Sequence, residues 1–308
     1  MTDIVTVGWL TVDDIVLPGG ACERAVLGGG ALYSAVGARI WNDRVGIHAV
    51  AGTAHHADVV RGIAARGLDA SGIGIVPGNG LELWLLHESE TDKQQVPKLS
   101  SSTPEELDAG RGPLPEGYRA AKGFHIAPQR PQGSFAHLET LDGLAPRPVI
   151  TLDILSDAYV DARLYRDLGF LGRLAAFLPS EAEVARLWRP ADPGRWAYAQ
   201  AAAHGCHVGV KLGPAGSLVA EAGGARLYRM PAYPARVLDT TGAGDAYCGG
   251  FLAGLVAGRP LPECAAMGTV SASYVVEARS ALATASPGVD ERQARLARVL
   301  AGIEAHGA

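Results

Sequence analysis

The stretch Asp239-Thr240-Thr241-Gly242-Ala243-Gly244-Asp245 sets a carboxylate behind two glycines, at the point where a helix of small residues should begin. Glycine in a helix costs roughly 1 kcal/mol relative to alanine, so its presence there needs a reason. Access is one such reason. The backbone N–H groups of Gly242, Ala243 and Gly244, bare of side chains, would form an anion hole at the helix N-terminus. Asp245 would stand in the first turn as a base beside a phosphate. A plain helix cap competes with this reading, since Thr-Thr-Gly suits a helix start and an aspartate in the first turn suits the helix dipole.

The stretch continues as Ala246-Tyr247-Cys248-Gly249-Gly250-Phe251-Leu252-Ala253-Gly254-Leu255, a run that lets a helix pack close to neighbouring backbone. Taken together, the two segments resemble the C-terminal motif of the ribokinase-like (PfkB) carbohydrate kinases. Other segments resemble that family's elements in the same order. Asp13 lies five residues after Gly8, just past the end of a first strand, where open α/β sheets bind ligands. The resemblance makes Asp13 the acceptor-binding aspartate, although on the residues alone Asp14 is an equal candidate. Gly28-Gly29-Gly30 resembles the N-terminal glycine motif, with Gly29 and Gly30 against the substrate and Tyr33 where many members carry asparagine. An aromatic ring there should reshape the acceptor pocket.

Ser180-Glu181-Ala182-Glu183 resembles the family's N-x-x-E element, with Ser180 in place of asparagine. Glu183 would help place Mg²⁺, through water, near the phosphates. The same Ser-x-x-Glu is an ordinary capping box, and both roles together are expected. Gly213-Pro214-Ala215-Gly216 resembles the G-x-x-G turn that receives the nucleotide, and Lys211 before it either reaches a phosphate or is solvated. Asp239 and Thr241 match positions that hold a monovalent cation such as K⁺. Asp153 has a counterpart in the family's D-x-N-x-R element, but Leu155 and Asp157 replace Asn and Arg, which leaves Asp153 outside the expected site.

These residues need a scaffold. Strand patterns at Ile4–Gly8, Val45–Ala51, Gly123–Ala127, Val149–Asp153, Ala175–Leu178 and Val208–Leu212 alternate with helical ones at Ala31–Trp41, 57–65, Ser134–Leu144, 262–277 and 290–303. That alternation favours a parallel sheet with helices on both faces. Strands at about 10–27 and 81–99, the latter around a polar turn at 88–93, break the rhythm and predict a small β lid. Residues 100–117 read as a connector. The expected fold is one α/β domain over residues 1–308, three-layer α/β/α with a central mostly parallel sheet and the lid beside it.

Composition bounds the function. At 308 residues with 48% hydrophobic and 19% charged residues the chain can bury a substantial core, and a net charge of −5 without a basic tract gives no sign of a nucleic-acid partner. No apolar run spans a membrane and no signal peptide is evident, so a cytoplasmic enzyme is expected. The four cysteines lack C-x-x-C spacing and read as small buried hydrophobes; the histidines show no metal spacing. A P-loop is excluded by the missing Gly-Lys, and Tyr33 and Tyr247 spoil both dinucleotide fingerprints.

The resemblance implies an ATP- and Mg²⁺-dependent kinase of a sugar, polyol or nucleoside alcohol, with a homodimer formed through the lid as a further expectation. A vitamin-precursor kinase acting on a hydroxymethylpyrimidine and a catalytically silent sensor are the alternatives. Trp9, Tyr33 and the Trp84 strand hint at aromatic pocket walls.

Overall fold

A computed structural model describes residues 1–17, 19–87, 93–155 and 161–306. The polar turn expected at 88–93 falls outside these but for its last residue, as does Asp157. The chain opens with β1 (Ile4–Val7), followed by a hairpin of β2 (Thr11–Val16) and β3 (Cys22–Gly28), then α1 (Gly30–Arg39), β4 (Val45–Gly52), α2 (His56–Ala65) and β5 (Asp69–Val76). A second hairpin, β6 (Glu82–His87) and β7 (Lys93–Pro97), precedes α3 (Pro104–Arg111), β8 (Gly123–Ile126), α4 (Pro131–Asp142) and β9 (Val149–Leu152). The remainder comprises β10 (Ala176–Phe177), α5 (Glu181–Leu187), α6 (Pro193–His204), β11 (His207–Lys211), β12 (Ser217–Ala220), β13 (Leu227–Met230), α7 (Ala243–Val256), α8 (Leu261–Val275), α9 (Val289–Leu300) and β14 (Glu304–His306).

The large sheet has ten strands in the order β14-β13-β12-β11-β10-β9-β8-β1-β4-β5. From β11 to β5 the strands run parallel, and β12, β13 and β14 add antiparallel pairings at one edge. Their apolar residues fill two clusters: one includes α1, α7 and α8, the other α4 and α6. After β5 the chain crosses from one side of β1 to the other to make β8. The crevice beyond the carboxyl ends of β1 and β8 is therefore the switch point where such sheets receive ligands.

The second sheet is four-stranded, β3-β2-β6-β7, with β2 and β6 parallel and the outer pairs antiparallel. It packs through Ile15, Leu83 and Leu85 onto Val50, Val76 and Leu107 at the edge of the main sheet.

Some elements differ from expectation. The connector at 100–117 contains α3, whose start is a complete capping box: the Glu106 amide donates to Thr103 Oγ1 at 3.2 Å and the Thr103 amide to Glu106 Oε2 at 2.7 Å. β5, α6 and β12 to β14 were not foreseen. In β5 the alternating Gly72 and Gly74 hide the strand pattern, and they are small because β4 and α3 press on them: a Cβ would meet the Ile47 carbonyl at 2.5 Å at the first, and that of Arg111 at 2.7 Å at the second. Of the cysteines, Cys206, Cys248 and Cys264 are buried but Cys22 is exposed on β3, against expectation.

Candidate active site

A cavity of about 710 Å³ opens at the switch point, lined from the carboxyl ends of β1 (Trp9), β8 (Pro128), β9 (Asp153, Ile154), β10 (Ser180) and β11 (Lys211), and from the lid. Every site residue expected from the sequence except Asp239 lines it: Asp13, Gly29, Gly30, Tyr33, Glu183, Lys211, Gly213, Gly216, Thr241, Gly242, Ala243, Gly244 and Asp245. Parallel strands end on one edge of a sheet, which is why residues scattered over the whole chain converge there.

The start of α7 carries no side-chain cap. The Thr241 hydroxyl and amide both donate to Asp239 Oδ1, at 2.7 and 2.8 Å. Gly242 is the N-cap residue with φ +74, and an added Cβ would overlap the ring of Tyr33, so only glycine fits. Ala243 N–H donates a long bond to the Thr240 carbonyl at 3.3 Å; the N–H groups of Gly242 and Gly244 have no partner among the described residues. Uncapped amides beside a cavity are what anion binding requires. A Cβ at Gly30 would stand 2.9 Å from Asp245 Oδ1, so the α1 backbone closes on that carboxylate.

Alternation along β2 separates the two candidate aspartates. Asp13 faces the cavity, accepts from Thr11 Oγ1 at 2.9 Å and packs on the bare Cα of Gly28. Asp14 faces the other way, where it accepts from the Ala25 amide at 2.9 Å and pairs with Lys98 at 2.9 Å. Burial alone would raise the Asp14 carboxyl, but these partners hold it below the usual range. Trp84 is on that outer face too, its ring 5.0 Å from the Lys98 ammonium, so it does not line the cavity as expected. Tyr33 does. Its hydroxyl is pushed up by burial and by the carboxylates of Asp239, Asp13 and Asp245 around it.

Beneath the helix start is a buried charged cluster. Lys211, far from being solvated, pairs directly with Asp153, and its Nζ would stand 3.4 Å from a Cβ at Gly244. Asp153, which the sequence left outside the site, is therefore part of it. Burial works against the Lys211 ammonium, yet Asp153 outweighs it and keeps it charged. Glu183 is pushed up to about 8, by burial first and then by Asp153. It also closes the capping box of α5, accepting from the Ser180 amide at 2.6 Å while its own amide donates to Ser180 Oγ at 3.3 Å. Cys248 adjoins the cluster, and burial pushes its thiol well up, consistent with a packing rather than a nucleophilic residue. The G-x-x-G turn places Gly213 and Gly216 at positive φ, the latter with its Cα against the Met230 carbonyl.

Comparison with known proteins shows the family. The family model for pfkB family carbohydrate kinases matches residues 169–287. A cytidine kinase of Thermococcus kodakarensis is 30% identical over 287 residues, covering 90% of this chain and 97% of that protein. The chain belongs to the pfkB carbohydrate kinase family. Among solved structures, an apo putative ribokinase II from E. coli superposes with TM-score 0.78 at 20% identity, covering 97% of this chain and 100% of that one. A putative ribokinase II from E. coli in complex with ATP and Mg²⁺ gives TM-score 0.75 at 18% identity with the same coverage. This pfkB kinase is thus a phosphotransferase of the sugar and nucleoside kinase kind. Its ribokinase-like fold sets a large mostly parallel sheet between helices, with the small sheet apart. No helix among its described residues is long and apolar enough to cross a membrane.

The sequence did not single out the lid's Leu81, Leu83, Leu85 and Gln95, nor Thr269, Ala272, Ser273 and Val276 of the α8 region, all of which line the cavity. The run Leu81–His87 reads as a strand, but which of its residues face inward depends on pairing the sequence does not declare.

Proposed function

We propose that this pfkB kinase transfers the γ-phosphoryl of ATP to a hydroxyl, most simply a hydroxymethyl, of a sugar, polyol or nucleoside. The observation that carries this is the uncapped start of α7 with Asp245 in its first turn, facing a cavity that also holds Asp13. Asp13 and Thr11 orient the acceptor's hydroxyls. Asp245 takes the proton of the attacking hydroxyl as its oxygen bonds to the γ-phosphorus and the bond to the leaving diphosphate oxygen breaks. The amides around Gly242 to Gly244 and the Lys211 ammonium meet the charge on the transferred group. The nucleotide lies between the Gly213–Gly216 turn and the α8 segment from Thr269 to Val276.

Among the described residues no three His, Cys, Asp or Glu side chains converge as a metal cage. Asp153, and Glu183 once it has given up its proton, fit Mg²⁺ held through water and shared with phosphate oxygens, the mode this ion favours. Bound there, Mg²⁺ would neutralise charge on those oxygens. Asp239 and Thr241 would hold K⁺ beside the helix start. Presence of the four-stranded lid supports a sugar or nucleoside over a vitamin precursor, as does the relative named for cytidine, and the retained Asp245 argues against a silent sensor.

ADP release across a panel of sugars, polyols and nucleosides tests the reading. Asp245→Asn should lower turnover by at least about 10³-fold while ATP still binds. Near-normal turnover in that variant refutes the mechanism.

A further inference from the structure

The acceptor end of the cavity has mostly apolar walls and one amide side chain. In the β6–β7 hairpin Leu83 is opposite Pro97 and Leu85 opposite Gln95. Directly opposed residues share a face of a sheet, so Gln95 looks into the cavity beside Leu83 and Leu85. Trp9 and Leu81, both buried, extend the same apolar wall. Gln95 is half-buried.

A free sugar presents hydroxyls on every side and needs polar partners around it. Here the polar partners, Thr11 and Asp13, stand at the end near Asp245, and the β6–β7 hairpin beyond offers leucines with a single donor–acceptor pair. The geometry points to a nucleoside as acceptor, with its base against Leu83 and Leu85 and its hydrogen-bonding edge read by Gln95. This rests on the kinase reading above for the position of the reacting hydroxyl. An amide carries one donor beside one acceptor. It matches the amine and ring nitrogen of cytosine or adenine and, rotated by half a turn, the carbonyl and ring N–H of uracil. Gln95 therefore selects for the presence of such an edge, and it is a specificity residue rather than a catalytic one.

The test measures binding by calorimetry and ADP release with cytidine, uridine, adenosine and ribose, for the wild-type chain and for Gln95→Leu. Leucine keeps the bulk of the side chain and removes only the amide. The wild type should bind at least one nucleoside about tenfold or more tightly than ribose, and Gln95→Leu should weaken that nucleoside by about tenfold or more, with ribose and ATP unchanged. Gln95→Asn, whose amide falls short of the base, should behave as Gln95→Leu. Equal nucleoside affinity in wild type and Gln95→Leu, or a wild-type preference for ribose, overturns the inference. Gln95-dependent nucleoside binding without ADP release keeps the inference and refutes the kinase reading. ADP release with ribose but with no nucleoside does the reverse.

Discussion

Replacing Gly244 by alanine separates the two reasons a glycine can stand at the start of α7. Gly244 has an ordinary helical φ, unlike Gly242, and a Cβ built on it meets nothing closer than Lys211 Nζ at 3.4 Å, with Cδ and Cε at 3.6 Å. That is normal van der Waals contact. If the position mattered only for folding, alanine should be the better residue, by about 0.5–1 kcal/mol of helix propensity, or about 1–3 °C in melting temperature for a chain of this size. The methyl group, however, would stand against the Lys211 ammonium, beside the amides where the transferred phosphoryl is proposed to sit. Losing one well-aimed donor to a developing anion costs about 10²–10³ in rate. Gly244→Ala should therefore melt slightly higher than the wild type and lose about 10²-fold or more in kcat/KM for ADP formation. Calorimetric melts and a coupled ADP assay on the same preparation read both quantities. A raised melting temperature with unchanged kcat/KM refutes the argument from access, and a lowered one refutes the account of the packing.

The Lys211–Asp153 pair gives a second test. Lys211→Met leaves a buried carboxylate alone and should cost about 3–5 kcal/mol in urea denaturation, whereas the double variant with Asp153→Leu should recover much of that without recovering ADP release. Asp13→Asn should raise the acceptor KM about tenfold or more with little change in melting. Asp14→Asn should leave that KM alone and lose about 1 kcal/mol by weakening the bonds to Ala25 and Lys98. Glu183, pushed up to about 8 from 4.5, holds its proton in the folded chain where the unfolded chain has lost it. Its contribution to stability is thus fully present below about pH 4.5 and lost as pH rises through about 8. Glu183→Gln should accordingly melt like the wild type near pH 5 and above it at pH 9, and equal melts at pH 9 would contradict the assigned protonation.

Much of the site was legible because its parts follow strands that end on one edge. The motif at Asp239–Asp245, the Ser-x-x-Glu at 180–183 and the G-x-x-G at 213–216 each stand just after a strand or at a helix start, where the local sequence carries the signal. What was not legible depends on pairing across the chain. Asp13 and Asp14 are neighbours with opposite faces, and only the register of β2 against β3 and β6 assigns them. Gln95 and Trp84 divide in the same way across the β6–β7 hairpin. Asp153 was set aside because two positions after it depart from the family pattern, yet its partner is Lys211, 58 residues away. The helix at 104–111 is a different case. Its capping box, Thr103-Pro104-Glu105-Glu106, was readable, and the prolines and serines around it obscured it.

The small residues beyond the motif explain how Asp245 is held. Along α7, a Cβ on Gly249 would overlap the Ser34 carbonyl of α1, and one on Gly250 would come within 2.7 Å of the Met267 carbonyl of α8. Gly254 lies against the Cα of Cys264, at 2.8 Å from an added Cβ. The contacts are reciprocal: Gly37 of α1 packs on the Ala246 backbone and Gly268 of α8 on the Tyr247 carbonyl. Ser271 ties the outer helices together, donating to the Gly37 carbonyl at 2.8 Å and accepting from Trp41 Nε1 at 2.9 Å. Long side chains would separate these helices and could shift rotamer; backbone against backbone leaves nothing to adjust. Each glycine inside α7 costs about 1 kcal/mol of helix propensity, a cost that local structure does not return. What returns it is position, because the helix that bears Asp245 is clamped on two sides within a turn of the base, and displacements of an ångström are enough to impair catalysis. The glycines at the start of α7 expose its amides, and those farther along keep the amides and the base where a phosphate would meet them.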